Sequence, residues 1–261
     1  MKPLSELTAE EALRLRGLLF DLDDTLLTHG LLTRDAFGSL WELREAGLTL
    51  VAVTGRPSAW GTVLARQWPL AGCVTENGAI HVVKDGSGVS RLDLCAETER
   101  RARRLRLTRL VDDVRAAVPE ARLTDDVEGR VSDVTWDIGE RSTLPDDQIA
   151  SIIDVVDRAG ARWLRSSVHL HATFDSDDKA TGGVRFLVRH LAEDPGAVPW
   201  RYGFVGDSGN DAACFAAFWT TFGVANVRAA VPRLSRPPRY VANHPMGLGF
   251  AEVARAILSR R

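Results

Sequence analysis

The chain has 261 residues, 45% hydrophobic and 26% charged, with a formal net charge of −2. That balance gives no electrostatic footprint for nucleic acid or an anionic membrane surface, so neither is expected as a partner. Cys73, Cys95 and Cys214 are scattered and lack metal-ligand spacing, and no apolar stretch approaches the ~20 residues that cross a bilayer, so a cytoplasmic setting is expected.

The length suits one large domain or a domain with another inserted in it. Residues 1–17 are charged, with a helix start near Ser5 or Thr8. Then comes Leu18 to Leu26, LLFDLDDTL. Leu18-Leu19-Phe20 has no polar alternation and reads as a strand buried on both faces, as in a parallel sheet covered by helices. Asp21, Asp23 and Asp24 follow it. Two ionised carboxylates that leave a strand end together repel unless a cation lies between them, and Mg2+ is the hard divalent ion expected. Taken alone, the pair reads more readily as turn residues capping the next helix.

Thr33 is placed to cap a helix to about Ala46, stopped by Gly47. Leu48 to Val53 is a second buried strand, ending in Thr54-Gly55-Arg56-Pro57, and Pro57 suits the first turn of a helix to about Trp68. Cys73 to Thr75 is a third strand, closed by Glu76-Asn77-Gly78. Ile80 to Val83 reads as one arm of a hairpin across the polar turn Lys84 to Gly88. Such alternation predicts a doubly wound parallel sheet, whose ligands lie beyond the carboxyl ends of the strands.

The texture then changes. Glu97 to Val118 is Arg-rich and amphipathic, with acidic residues interleaved, and reads as a solvated helix rather than an RNA-binding face. Val131 to Ile138 and Ser167 to Phe174 alternate as strands, flanking a helix from Pro145 to Ala159. Val134, Trp136 and Ile138 share one face in the first strand; Ser167, His169, His171 and Thr173 share one in the second. A small antiparallel sheet is expected, with helices on its apolar side and its polar face roofing the site. A helix near Lys179 and a strand at Tyr202 to Val205 return to the first pattern, and that strand delivers Gly206-Asp207-Ser208-Gly209-Asn210-Asp211. Short strands are expected at Thr221 to Val224 and Tyr240 to Val241, and a last helix from about Gly249. Lys179 stands out because the chain's other lysines are only Lys2 and Lys84.

DLDDTL at Asp21, Thr54-Gly55-Arg56, Glu76-Asn77-Gly78-Ala79, Asp178-Lys179 and GDSGND at Gly206 resemble, in order and spacing, the four motifs of the haloacid dehalogenase (HAD) superfamily of phosphatases. The position of the inserted segment resembles the type IIB subgroup, which contains Cof-type sugar phosphatases, sucrose-phosphate, trehalose-phosphate and mannosyl-3-phosphoglycerate phosphatases, and phosphomannomutases. The resemblance implies an α/β fold, a doubly wound Rossmann-like core at residues 1–83 and 174–261, with an α+β cap at 84–173 that governs specificity.

It further implies a small phosphorylated substrate, a sugar phosphate, handled by a monomer or homodimer. Asp21 would be the nucleophile and form an aspartyl phosphate, and Asp23 the acid/base. Mg2+ would be held by the Asp21 carboxylate, the Asp23 main-chain carbonyl and Asp207, with Asp211 at the same centre. Thr54, Gly55, the backbone at Leu22, Lys179 and Asn210 would meet the phosphate; Arg56, Glu76 and Asn77 would line the core side of the pocket. His169, His171 and Asp133 are the cap candidates. The two histidines share a strand face as a metal pair could, but no third ligand is evident. Asp24 stands where Cof-type relatives usually carry glycine, and is expected to turn to solvent or cap the next helix. A phosphomutase sharing the Asp21 chemistry, and a non-catalytic phosphosugar-binding protein, are the alternatives.

Overall fold

The protein is described by a computed structural model over residues 1–86 and 88–261. Ser87, in the expected hairpin turn, lies outside the described residues. Along the chain run β1 (Lys2–Pro3), α1 (Ala9–Arg14), β2 (Gly17–Phe20), α2 (Arg34–Glu45), β3 (Thr49–Val53), α3 (Ser58–Gln67), β4 (Gly72–Thr75), β5 (Ile80–Asp85) and β6 (Gly88–Asp93). Then come α4 (Glu97–Ala117), β7 (Arg122–Leu123), β8 (Asp133–Asp137), α5 (Asp146–Arg158), β9 (Arg162–Arg165) and β10 (His169–Thr173). The last part holds α6 (Lys179–Leu191), α7 (Val198–Arg201), β11 (Tyr202–Gly206), α8 (Ala212–Ala217), β12 (Thr220–Gly223), β13 (Tyr240–Val241) and α9 (Met246–Leu258).

The larger sheet has the order β1-β13-β12-β11-β2-β3-β4-β5-β6. It is parallel from β1 to β4, with β5 and β6 added antiparallel. β2, β4, β11 and β12 are buried along their whole length, as strands of a parallel sheet covered by helices on both faces are. One core layer lies under α2 and α9, where Phe20 packs edge-on to Phe250 at 5.2 Å; the other lies under α6 and α8. Each such fully buried Leu or Phe contributes ~1.5–3 kcal/mol.

Helix starts follow the local chemistry. The Thr8 side chain forms a reciprocal capping box with Glu11, and Thr33 accepts from Ala36 N–H at the head of α2. Pro57 precedes α3 as its cap rather than entering its first turn. The last helix begins at Met246, three residues before the expected Gly249, with Pro245 as its extended cap residue.

The smaller sheet is antiparallel, ordered β7-β8-β10-β9. Trp136, Leu170 and Ala172 pack on α4 and α5 through Leu107, Leu110, Ile149 and Ile152. The cross-strand pairs His171 with Thr135 and Thr173 with Asp133 occupy the opposite face. The hairpin β5–β6 belongs to the larger sheet as far as Asp93, so by sheet membership the expected division at residue 84 falls within the core. β9 has no counterpart in the sequence expectations: Arg162-Trp163-Leu164-Arg165 is too short to show a period.

Candidate active site

Four adjacent parallel strands, β11, β2, β3 and β4, end on one edge, and the residue after each carries a functional group: Asp207, Asp21, Thr54 and Glu76. α6 approaches from the side. Asp178 caps it by accepting from Thr181 N–H at 2.7 Å, which sets Lys179 at its first position. Lys179 reaches Asp21 Oδ1 at 2.6 Å and Asp211 Oδ1 at 2.7 Å, with its ammonium fully buried. Asp211 Oδ2 accepts from the N–H groups of Asp207 and Ser208 at 2.9 and 3.1 Å. Thr25 donates to Asp207 Oδ1 at 3.0 Å, and Asn226 Nδ2 donates to Oδ2 at 2.9 Å.

Burial pushes the Asp21 carboxyl up to about 8 despite the pull of Lys179, and the charges of Asp211 and Asp23 push the same way. Burial also lifts Asp207 well above the usual carboxylate range, with Asp211 and Asp21 adding to it. For Lys179, burial works downward, but Asp21 and Asp211 outweigh it and hold the ammonium above its ordinary value. Asp21, Asp207 and Asp211 can each bring an oxygen within 4.8 Å of the others. Three buried carboxylates facing one ammonium leave an excess of negative charge, and an oxygen-only donor set of this kind fits a hard divalent cation. Asp211, through its bonds to Lys179 and to the Asp207 and Ser208 N–H groups, also orients Lys179 and the Asp207 loop. The Asp23 carboxylate is not in the cluster.

Asp23 instead lies in the fork of Arg56, with Nε at 2.9 Å from Oδ2 and Nη2 at 2.9 Å from Oδ1. The same guanidinium reaches Glu140 at 2.5 Å and Asp126 at 3.5 Å on the cap, and it lies 4.8 Å over the Trp60 ring. Glu140 also pairs with His169 Nε2 at 2.7 Å. The His169 hydrogen bond and Arg56 together draw the Glu140 carboxyl down to about 2 against its desolvation. Glu76 faces the cap as well, accepting from Val131 N–H at 2.9 Å, Ser132 N–H at 2.6 Å and the Ser132 hydroxyl at 2.7 Å. Burial and the Asp133 charge raise its pKa while these bonds oppose them. Arg56 and Glu76 therefore stitch core to cap, and His169 holds Glu140 on the cap side of the Arg56 contact.

Glu76 and Asn77 both adopt left-handed backbone (φ 51° and 53°), and Gly78 follows at φ 115°. This turn is strained for side-chain-bearing residues, and the contacts of Glu76 and Asn77 hold it. A Cβ at Gly78 would come within 2.2 Å of the Asp178 carbonyl, so glycine there lets the turn press against the start of α6.

Around the Asp21 loop, the Leu22 carbonyl accepts from Thr25, Leu26 and Leu27 N–H at 3.3, 3.0 and 2.8 Å. Thr54 Oγ1 accepts from Arg56 N–H at 3.0 Å. Among the described residues, the N–H groups of Leu22, Asp23 and Gly55 meet no protein acceptor. Asn210 joins this edge by donating to Asn77 Oδ1 at 3.3 Å. Asp24 takes φ 55°, which is why glycine suits the position and why aspartate, which tolerates left-handed backbone, can replace it. Its carbonyl accepts from Asn226 at 3.0 Å. Asp24 lines a cavity of about 590 Å³ that also touches Asp207, Asn210, Asn226, Trp163 and Arg165, between β9 and the core loops.

No protein-family model matches the chain, and no curated protein does. Solved structures do. A HAD/COF-like hydrolase from Plasmodium vivax is 19% identical with a TM-score of 0.69, covering 97% of this chain and 100% of its own. The trehalose-6-phosphate phosphatase C-terminal domain of C. albicans is 12% identical with a TM-score of 0.70, covering 96% and 95%. The sucrose-phosphatase of Synechocystis, solved with sucrose and phosphate, is 18% identical with a TM-score of 0.61, covering 93% and 98%. The chain has the fold of the HAD superfamily phosphatases.

Within that HAD fold, the structure adds residues that sequence reasoning did not single out. Thr25 is fully buried, and its place inside the DLDDTL stretch was the signal the sequence offered. Asn226 follows β12, another strand ending on the same sheet edge. Arg130, Asp126 and Glu140 sit in segments flanking β8 where no periodicity marks them, and Ser132 lies in the expected strand from Val131 but just ahead of β8. Among the described residues, the three aspartates are the only His, Cys, Asp or Glu group arranged to hold a metal, so His169 and His171 do not form a second one. No helix of the described residues is long and apolar enough to cross a membrane.

Proposed function

We propose that this protein is a Mg2+-dependent phosphatase that hydrolyses a small phosphorylated metabolite, a sugar phosphate, through an aspartyl phosphate on Asp21. The observation that carries the reading is the buried Asp21–Lys179–Asp211 chain, with Asp207 beside it, at the sheet edge that also carries Thr54 and, among the described residues, the acceptor-free N–H groups of Leu22 and Gly55. Phosphoryl transfer calls for an in-line nucleophile and positive or hydrogen-donating groups around the equatorial oxygens.

Lys179 holds Asp21 Oδ1, so Oδ2 is the oxygen left to attack phosphorus. Lys179, the Thr54 hydroxyl and the N–H groups of the Asp21 and Gly55 loops would cradle the transferring group. Asp23 would give a proton to the leaving alcohol and take one from the hydrolytic water. Arg56 grips Asp23 with its guanidinium fork, at 2.9 Å to each carboxylate oxygen. Asp126 and Glu140 on the cap compete for the same guanidinium, which would couple Asp23 to cap position. Asp21, Asp207 and the Asp23 carbonyl would hold Mg2+, which when bound supplies charge compensation between an anionic nucleophile and an anionic phosphate. The sucrose- and trehalose-phosphate phosphatases among the structural neighbours support a sugar phosphate, as does the polar face of the cap.

The test is phosphate release from p-nitrophenyl phosphate and a sugar-phosphate panel, with Mg2+ and after its removal by chelation. Asp21→Asn should lower turnover by ~10³-fold or more, a loss expected of a covalent nucleophile. Activity retained in that variant, or unaffected by chelation, would refute the assignment.

A further inference from the structure

Asn226 stands in the turn after β12, and its backbone is held on both sides: Ala225 N–H donates to the His244 carbonyl and Val227 N–H to the Val224 carbonyl, each at 2.9 Å. From there one side chain meets three separate segments. Nδ2 donates to Asp207 Oδ2 at 2.9 Å and to the Asp24 carbonyl at 3.0 Å, while Oδ1 accepts from Met246 N–H at 3.1 Å. A main-chain carbonyl only accepts and a main-chain N–H only donates, so the two ends of this amide cannot be exchanged.

Both amide hydrogens are therefore engaged within the protein. Asn226 lines the cavity beside Asp207, but it has no hydrogen left to offer a bound molecule there. What it does hold is unusual. Asp24 and Met246 take φ 55° and 51°, and neither is glycine, so one amide braces two left-handed residues that are costly for side-chain-bearing positions.

The same amide joins the two loops that carry the candidate metal donors. Asp24 follows Asp21 and Asp23 in the loop after β2, whereas Asp207 follows β11. Thr25, from the first of these loops, donates to Asp207 Oδ1 at 3.0 Å, and Asn226 donates to Oδ2. Each oxygen of Asp207 thus takes one bond from a neutral donor, which fixes the carboxylate plane, and each keeps a lone pair for a cation. Neutral donors orient the carboxylate without bringing a positive charge that would oppose a metal ion.

We infer that Asn226 is a positioning residue for the metal: it presets the Asp207 carboxylate and ties it to the Asp21–Asp24 loop before Mg2+ binds. Partners of this kind behind a ligating carboxylate govern metal affinity without touching the ion. This rests on the Mg2+-dependent reading above.

The experiment titrates Mg2+ into the metal-stripped protein by calorimetry, for the wild type, Asn226→Leu and Asn226→Ala. Leucine keeps most of the volume and makes none of the bonds. Thermal unfolding in chelator is recorded beside each titration. The Kd for Mg2+ should rise by ~10-fold or more in either variant, and the Mg2+ concentration that half-saturates p-nitrophenyl phosphate turnover should rise with it. A purely structural asparagine would lower the melting temperature in chelator and leave the Kd of the folded protein where it was, and that result overturns the inference. Either folded variant decides this. A third measurement needs no variant: in the wild type without Mg2+, the side-chain amide protons of Asn226 should already be slow to exchange by NMR, and rapid exchange there overturns the presetting. Wild-type protein that binds no Mg2+ overturns the metal-dependent reading together with this one, whereas Mg2+ binding with equal Kd in all three proteins overturns this inference alone.

Discussion

Burial holds the His171 imidazole down to about 4 from its ordinary 6.5, the pull of Asp133 only partly opposing it while Arg130 and His169 add to the depression. The unfolded chain therefore binds more protons than the folded one between those values. The stabilisation is fully present above pH 6.5 and is lost as pH falls through 4. At ~1.4 kcal/mol per pKa unit, the whole window is worth ~3 kcal/mol, of which ~2 kcal/mol is lost by pH 5. For a chain of this size that corresponds to a melting temperature lower by ~4–8 °C. The perturbation is His171→Gln, which cannot titrate. Urea or thermal unfolding of both proteins at pH 7 and pH 5, in chelator, isolates the contribution, because every other ionising group is common to the two. The wild type should lose ~2 kcal/mol more than the variant on acidification. Parallel losses would refute the placement of a neutral, buried His171 under the cap.

Two further outcomes are expected. Glu140→Gln weakens the Arg56 contact across the cap boundary and the His169 contact within the cap. The depressed Glu140 pKa at face value would be ~3 kcal/mol, and solvent screening at a partly exposed carboxylate reduces this to ~1 kcal/mol. Because the shift is downward, the difference between wild type and variant should be complete above pH 4.5 and vanish as pH falls towards 2, as read from denaturant midpoints. At Asp24, whose φ is 55°, Asp24→Ala should cost ~1 kcal/mol whereas Asp24→Gly should be within ~0.5 kcal/mol of wild type. Equal costs in urea unfolding would remove the backbone explanation for that position.

Asp21, Thr54, Asp207 and Lys179 were legible in the chain because each directly follows an apolar run or opens a helix. A parallel sheet puts every such strand end on one edge, so correct strand assignment was enough to bring them together. The polar faces of β8 and β10 were legible for a related reason: alternation with a period of two shows which residues share a face. The destinations of those faces were not legible. Arg56 is a loop residue in sequence terms, yet its guanidinium meets Asp23 from its own domain and Asp126 and Glu140 from the cap. Glu76 similarly bonds a loop 55 and 56 residues away.

What the sequence by itself determined is the doubly wound core, the inserted sheet and the identity of the acidic, hydroxyl and lysine groups at the strand ends. These are set by local apolar patterning and by topology, both of which act over short stretches of chain. What the tertiary structure alone decided is partnership: Arg56 with Asp23, Thr25 and Asn226 with Asp207, and Asp133 with His171 above Gly55. Those pairings arise where two separately patterned layers dock. Hydrogen bonding there depends on distances of a few tenths of an ångström that no periodicity in the chain encodes.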